Sequence, residues 1–195
     1  MSGSRIGRPR LAEVDEAIGS ATQSLLAEVG YSDLTIDEVA RRAGVGKPTV
    51  YRRHASKAQL VASVLHRSLE HANPETPDTG DPALDLRQLL TNLARALTQT
   101  LFGPAVVEVI APARHNADLE ALFDTVTSER RRLMHSVLAD AHRSSRLRAI
   151  DVETAVDMTL GAIYFRFMFS KGPLDADFID GLVWSVVRDD PAVQR

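Results

Sequence analysis

In each apolar segment of this chain the hydrophobic side chains recur three and four positions apart, and nowhere do they alternate. Such spacing gathers apolar groups on one face only when the backbone repeats every 3.6 residues, so the pattern selects helices and excludes strands. The first stretch, with Ile18, Ala21, Leu25, Leu26 and Val29, predicts a helix over about 11–29, ended by a glycine in the left-handed region at Gly30. Thr35-Ile36-Asp37-Glu38 has the form of a capping box and opens a short helix to about residue 43, whose apolar face is Ile36, Val39 and Ala40. Gly44-Val45-Gly46 breaks it. A second short helix starts at Lys47-Pro48, where proline is tolerated because the N–H it lacks would have no partner. Ser56 and Gln59 form another capping box for a fourth helix carrying Leu60, Val61, Val64, Leu65 and Leu69.

Residues 73–82 hold three prolines, a glycine and three acids, a composition that neither continues a helix nor packs a core, and they are expected to be a linker. After it, Asp81-Pro82 opens a helix with Leu86, Leu89, Leu90, Leu93 and Leu97 in register, expected to stop near Gly103-Pro104. A short helix is expected over about 105–113 and a long one over about 116–143, with the stripe Leu119, Leu122, Phe123, Val126, Leu133, Val137 and Ala141. Two more, about 151–170 and 175–189, are separated by Lys171-Gly172-Pro173. The expected fold class is all-α, with about nine helices. The organisation read from the sequence is an arm over 1–10, a helical domain over 11–72, the linker, and a second helical domain over 83–195.

Charge is the second constraint. The 23 Lys and Arg nearly cancel the 26 Asp and Glu, for a net −3, so the chain is not a bulk polycation. Up to residue 72 there are 10 basic against 8 acidic residues (+2), leaving 13 against 18 (−5) for the rest. Between residues 41 and 57 lie six bases, Arg41, Arg42, Lys47, Arg52, Arg53 and Lys57, and no acid. Taken alone such a run reads as a solvated face. Here it falls on two short helices joined by a glycine turn, the elements of a helix-turn-helix over about 35–54. Gly44 allows the backbone to reverse, Val50 faces the core, and Lys47, Thr49, Arg52 and Arg53 are expected at the surface, where their donors reach phosphates and base edges in a major groove.

The block from Thr35 to Leu60, TIDEVARRAGVGKPTVYRRHASKAQL, with AEVGY before it, resembles the tetracycline-repressor-like (TetR) regulators. The resemblance covers residues 11–69 well; beyond them only the helical pattern and the length agree. It implies a homodimeric, all-helical DNA-binding protein, usually a repressor, whose C-terminal domain binds a small molecule that lowers operator affinity. Position by position it implies that Thr35 and its helix hold a phosphate and that Lys47, Pro48, Thr49 and Arg52 contact bases or phosphates. It further implies phosphate contacts from Tyr51, His54 and Lys57. Arg5, Arg8 and Arg10 would enter the adjacent minor groove as an arm. Two positions depart from the family: Gly46 stands where a phosphate-binding serine is common, and His54 where an aromatic is common, leaving open whether His54 packs, binds phosphate or does both.

The last two helices are the most apolar part of the chain, with Met158, Ile163, Phe165, Phe167 and Phe169, then Phe178, Leu182, Val183 and Trp184. Apolar residues on more than one face imply a further packing surface, and the family's use of this helix pair points to a homodimer that presents two recognition helices to a two-fold, palindromic operator. Candidate effector contacts are Phe102, Glu108, Arg114, Phe123, Met134, Asp157, Tyr164 and Arg166. Arg166 interrupts an aromatic run, so if buried it needs a carboxylate or an anionic ligand; otherwise it snorkels or pairs structurally.

Zero Cys removes thiolate chemistry, zinc–cysteine sites and disulfides. The six histidines include no pair four apart, and no hydrolase, metalloprotease or nucleotide-binding motif occurs, so neither an enzyme, a metal site nor a cofactor is expected. No apolar run approaches the ~20 residues of a membrane span, and a soluble, cytoplasmic protein is expected. The alternative from another class is a helical small-molecule-binding protein whose helix-turn-helix is only a packing element.

Overall fold

The computed structural model describes residues 8–72 and 76–188. The expectations for Arg5, for the side chains of Arg8, Arg10, Leu69, Leu122 and Val126 and for residues 73–75 of the linker lie outside the described residues, whereas the last helix, expected to reach about 189, ends at Val186, because Val187 turns extended and bridges Leu147. Nine α-helices occur among the described residues: α1 (Arg8–Asp33), α2 (Ile36–Arg42), α3 (Lys47–Tyr51), α4 (Lys57–Ala72), α5 (Pro82–Gln99), α6 (Phe102–Ala113), α7 (Ala117–Arg143), α8 (Val152–Phe165) and α9 (Ala176–Val186). Among those residues the one extended pairing is a single antiparallel bridge, Leu147 with Val187.

The helices form two compact units, Met1–Arg67 with Leu101–Phe123 and Ser68–Thr100 with Asp124–Arg195. They are not continuous in sequence, unlike the division at 73–82. Packing decides this: α6 lies against α1, and its Phe102, Ala105 and Val109 are buried together with Ile18, Leu25 and Leu26 of α1. Within the same unit α2 packs on α1 and α3 on α2, with Ile36, Val39, Ala40 and Val50 buried. In the second unit α5 supplies the expected leucine stripe, Leu86, Leu89, Leu90, Leu93 and Leu97, all buried, and packs against α8 and α9. Each such leucine contributes about 1.5–3 kcal/mol of transfer free energy to the cohesion of the unit.

Further differences from the sequence reading concern α1, α5, α6 and the geometry at the end of α8. Helix α1 starts at Arg8, within the expected arm, because Pro9 falls in the first turn where no N–H is needed. Its run through to Asp33 contains a break at Gly30, whose φ of 74 and ψ of 175 lie in a region open essentially to glycine alone, so the positive φ is as expected while ψ is not that of a left-handed cap. Helix α5 ends at Gln99, before extended Thr100, rather than at Gly103-Pro104. Gly103 and Pro104 instead occupy the first turn of α6, where orphan N–H groups make proline harmless. Finally, α8 leaves α-geometry at Phe165, continues as a π-helical turn over Arg166–Ser170, and stops at left-handed Lys171 (φ 51).

The N-caps follow the sequence more closely. Asp81 accepts from the Ala83 N–H (2.9 Å), Asp151 from Thr154 (2.9 Å) and Asp175 from Phe178 (3.1 Å). The Thr35 box closes on one side only: its hydroxyl oxygen accepts from the Glu38 N–H at 3.2 Å, while the Glu38 carboxylate turns to Arg41.

Candidate nucleic-acid interface

Thr35 caps α2 from an extended conformation, and seven residues later the helix ends at Arg42, with Ala43 as its C-cap. Gly44 takes φ 66, unstrained only for glycine, and reverses the chain into α3, whose first turn is set by Gly46 accepting from the Thr49 N–H at 2.8 Å. Val50, fully buried, is the one buried side chain of α3. With Val50 turned inward, Lys47, Pro48, Tyr51 and Arg52 are exposed and Thr49 half-buried. This is a short convex edge of donors one turn long, the dimension and chemistry that a major groove admits.

The six-base run, acid-free in sequence, is not acid-free in space. Arg42 reaches Glu28 at 2.6 Å, Lys47 reaches Asp37 at 2.7 Å, Arg53 reaches Asp15 at 2.5 Å, and Arg41 pairs with Glu38. The hydrogen bond that Lys47 donates to Asp37 raises the Lys47 ammonium above its usual range, and those donated by Arg42 and Arg41 lower Glu28 and Glu38. The Arg41, Arg42 and Lys47 pairs lie largely in solvent, where a pair is worth little and phosphate can take the acid's place. Arg52 is exposed and makes no ion pair among the described residues. It is the base whose charge is most fully available.

Three of the expected contacts turn inward. Arg53, expected at the surface, has only 15% of its side chain exposed; three residues after Val50, it shares that residue's inward face. His54 is buried, 9% exposed, with Nδ1 3.2 Å from the Ser63 hydroxyl, so its ring packs within the domain. Burial above all, and Arg67 next, hold its imidazole below the ordinary value. Lys57 donates to the carbonyls of Tyr31 (2.8 Å) and Ser32 (3.1 Å) and lies over the Tyr31 ring, while burial lowers its ammonium. It thus ties the end of α1 to the start of α4.

The candidate effector contacts divide between the units. In the first, Phe102 is buried, Phe123 half-buried, Arg114 exposed, and Glu108 sits with an oxygen 2.7 Å from where a β-carbon on Gly30 would stand. In the second, Met134 is buried, Tyr164 is half-buried and Asp157 is exposed and paired with Arg131. Half-buried Arg166 meets no carboxylate among the described residues: it donates to the Pro173 carbonyl at 3.0 Å and its guanidinium lies 3.7 Å from the Phe178 ring centre, closing the turn between α8 and α9. A cleft of about 630 Å³ in this unit is lined by other residues, among them His142, Ser145, Arg148 and Asp151.

Two residues escaped the sequence reading. Arg130 is buried near Tyr164, and burial lowers its guanidinium. The signal was its position, four before Met134 and seven before Val137 on the apolar stripe. Asp15 is the other, an ordinary helix acid until its partner is seen.

Comparison with known proteins gives the same outline. Residues 18–64 match the family model for bacterial regulatory proteins of the tetR family, and residues 76–186 match the tetracyclin repressor-like C-terminal domain. The chain is 30% identical over 187 residues, 95% of its length and 93% of the relative's, to YdeS of Bacillus subtilis (strain 168), an uncharacterized HTH-type transcriptional regulator. The crystal structure of the TetR family transcription regulator SCO0332 superposes with a TM-score of 0.67 at 32% identity, over 88% of this chain and 94% of that one. That of the regulator FadR from Bacillus subtilis in complex with stearoyl-CoA does so at 0.72, with 17% identity, over 87% and 95%.

Proposed function

The chain belongs to the tetR family of bacterial regulatory proteins, and from that premise we propose that it is a cytoplasmic, homodimeric repressor that reads a palindromic duplex operator and is released by a small-molecule effector. It works by binding, with no catalytic step. The observation that carries the reading is the exposed edge of α3: Lys47, Pro48, Tyr51 and Arg52 project from a helix anchored inward by Val50. In this arrangement Arg52 and Thr49 reach base edges, Lys47 and Tyr51 reach bases or phosphates, and Thr35 adds a phosphate contact at the start of α2. Lys57 and His54 support the fold of the domain rather than touch DNA.

A second exposed face supports the dimer. Phe165, Phe169 and Trp184 are 60%, 69% and 62% exposed on the elements built from residues 152–186, an apolar display that a partner copy would cover. Two copies related by a two-fold axis place their α3 helices one helical turn of DNA, or a multiple, apart. No single helix among the described residues is long and apolar enough to cross a membrane. FadR holds stearoyl-CoA in the same fold, and the present chain would bind its own effector in the C-terminal region, shifting the population between two dimer states by about 1–3 kcal/mol of coupling.

In vitro selection from a random duplex library tests the reading. Enrichment of a two-fold site, bound with a steep salt dependence, is the expected result. Failure to enrich any duplex, with affinity flat across a salt titration, would leave a helical ligand-binding protein instead.

A further inference from the structure

We propose that Asp15 and Arg53 form a strut that sets the pose of α3 on α1, making them positioning residues for operator reading; this rests on α3 being the recognition helix. Arg53 lies in the basic run and by composition reads as one more phosphate contact. Its guanidinium is spent otherwise. Nε donates to Asp15 Oδ1 of α1 at 2.5 Å, and Nη1 donates to the Thr49 carbonyl of α3 at 3.1 Å. One planar group therefore grips both helices, with a fork geometry that only arginine supplies.

The need for such a grip follows from the size of α3. It has five residues and a single buried side chain, Val50. One apolar anchor stops a helix from lifting but leaves it free to roll about its own axis. With side-chain tips roughly 5–6 Å from that axis, a roll of about 10° moves them by about 1 Å. Base-reading hydrogen bonds lose their geometry over such a distance. The Lys47–Asp37 pair at the other end has 51% and 65% of its side chains exposed and is too solvated to hold the roll, whereas Arg53 is 15% and Asp15 39% exposed. Val50 and Arg53, three apart on one face, together fix both depth and rotation.

The sign of a single substitution separates this role from a phosphate contact. Asp15→Ala removes a negative charge from a DNA-binding domain, which on electrostatics alone strengthens binding to every duplex. The strut demands the opposite at the selected site: affinity for it falls about tenfold or more, affinity for random duplex holds or rises, and the salt slope is unchanged. A repeat selection with Asp15→Ala should recover the same spacing with blurred base preferences. Arg53→Lys keeps the charge but replaces the planar two-nitrogen fork with one freely rotating ammonium nitrogen, which cannot hold Asp15 and Thr49 in a fixed mutual orientation; it should lose selectivity too, and the Asp15→Ala/Arg53→Lys double variant should lose no more than the worse single one. Retained random-duplex binding and an unchanged far-UV spectrum show that the variants fold. If Asp15→Ala binds the selected duplex as well as wild type or better, or Arg53→Lys keeps full selectivity, the strut is overturned while the recognition reading stands. If the wild-type chain enriches no duplex, the recognition reading falls and the strut's function falls with it.

Discussion

The outer edge of α3 and the apolar face of residues 152–186 are both surfaces left without a partner inside one chain, and they are built on opposite physical terms. The first is a row of donors and charges, with Lys47 and the neighbouring Arg42 of α2 engaged by acids that phosphate can replace. The second is aromatic, with Phe165 and Phe169 rings 5.6 Å apart and Trp184 stacked under the Arg148 guanidinium at 4.4 Å. A surface of the first kind is read through salt and geometry; one of the second kind through concentration and buried area. The difference separates the two partners proposed for this chain, DNA and a second copy, by the variable that each obeys.

The largest effect should come from the apolar face. Trp184→Arg is expected to weaken the dimer by about 2–4 kcal/mol, seen as a shift toward monomer in sedimentation, with loss of operator binding that follows from losing the second half-site. Next comes Arg52→Ala, expected to cost about 1–3 kcal/mol at one base position of the selected site and little elsewhere, leaving the dimer constant untouched. Lys47→Ala should weaken all duplexes alike by less than tenfold and reduce the salt slope by about one, as measured by binding titrations over a range of salt. If Lys47→Ala altered the dimer constant as much as the salt slope, the separation of the two surfaces would collapse.

The smallest effect is on pH. His54 is held neutral by burial, so its folded pKa lies below the ordinary value of about 6.5. Between those two values the unfolded chain binds the extra proton, stability rises with pH, and acidification through about 6.5 should lower the denaturation midpoint. His54→Gln should flatten that segment of the curve. Residues 152–186 contain no histidine, and the dimer constant should change less over the same range.

Apolar spacing and caps made the helices legible in advance, because both are local: Val50, the leucines of α5 and the cap at Asp81 all fall where periodicity and capping chemistry put them. Charge pairing was not, because it depends on which helices meet. Asp15 and Arg53 are 38 positions apart, Glu28 and Arg42 14 apart, and neither pairing leaves a trace in local composition. The same limit explains Arg166, whose partners Pro173 and Phe178 come together only when the turn after the π-helical segment closes. Proline and glycine misled in one place, since Gly103-Pro104 reads as a stop but sits equally well in a helix's first turn.

The break at Gly30 bears on how freely this part of the chain can vary. Its φ of 74 with ψ of 175 admits essentially glycine, and a β-carbon there would meet Glu108 Oε2 at 2.7 Å, a side-chain tip that must swing away. In a saturation scan Gly30 should be a column with a single tolerated letter inside what sequence alone shows as the frayed end of a helix. A residue so confined divides α1 into a long shaft and a final turn whose angle is a fixed dimension of the domain.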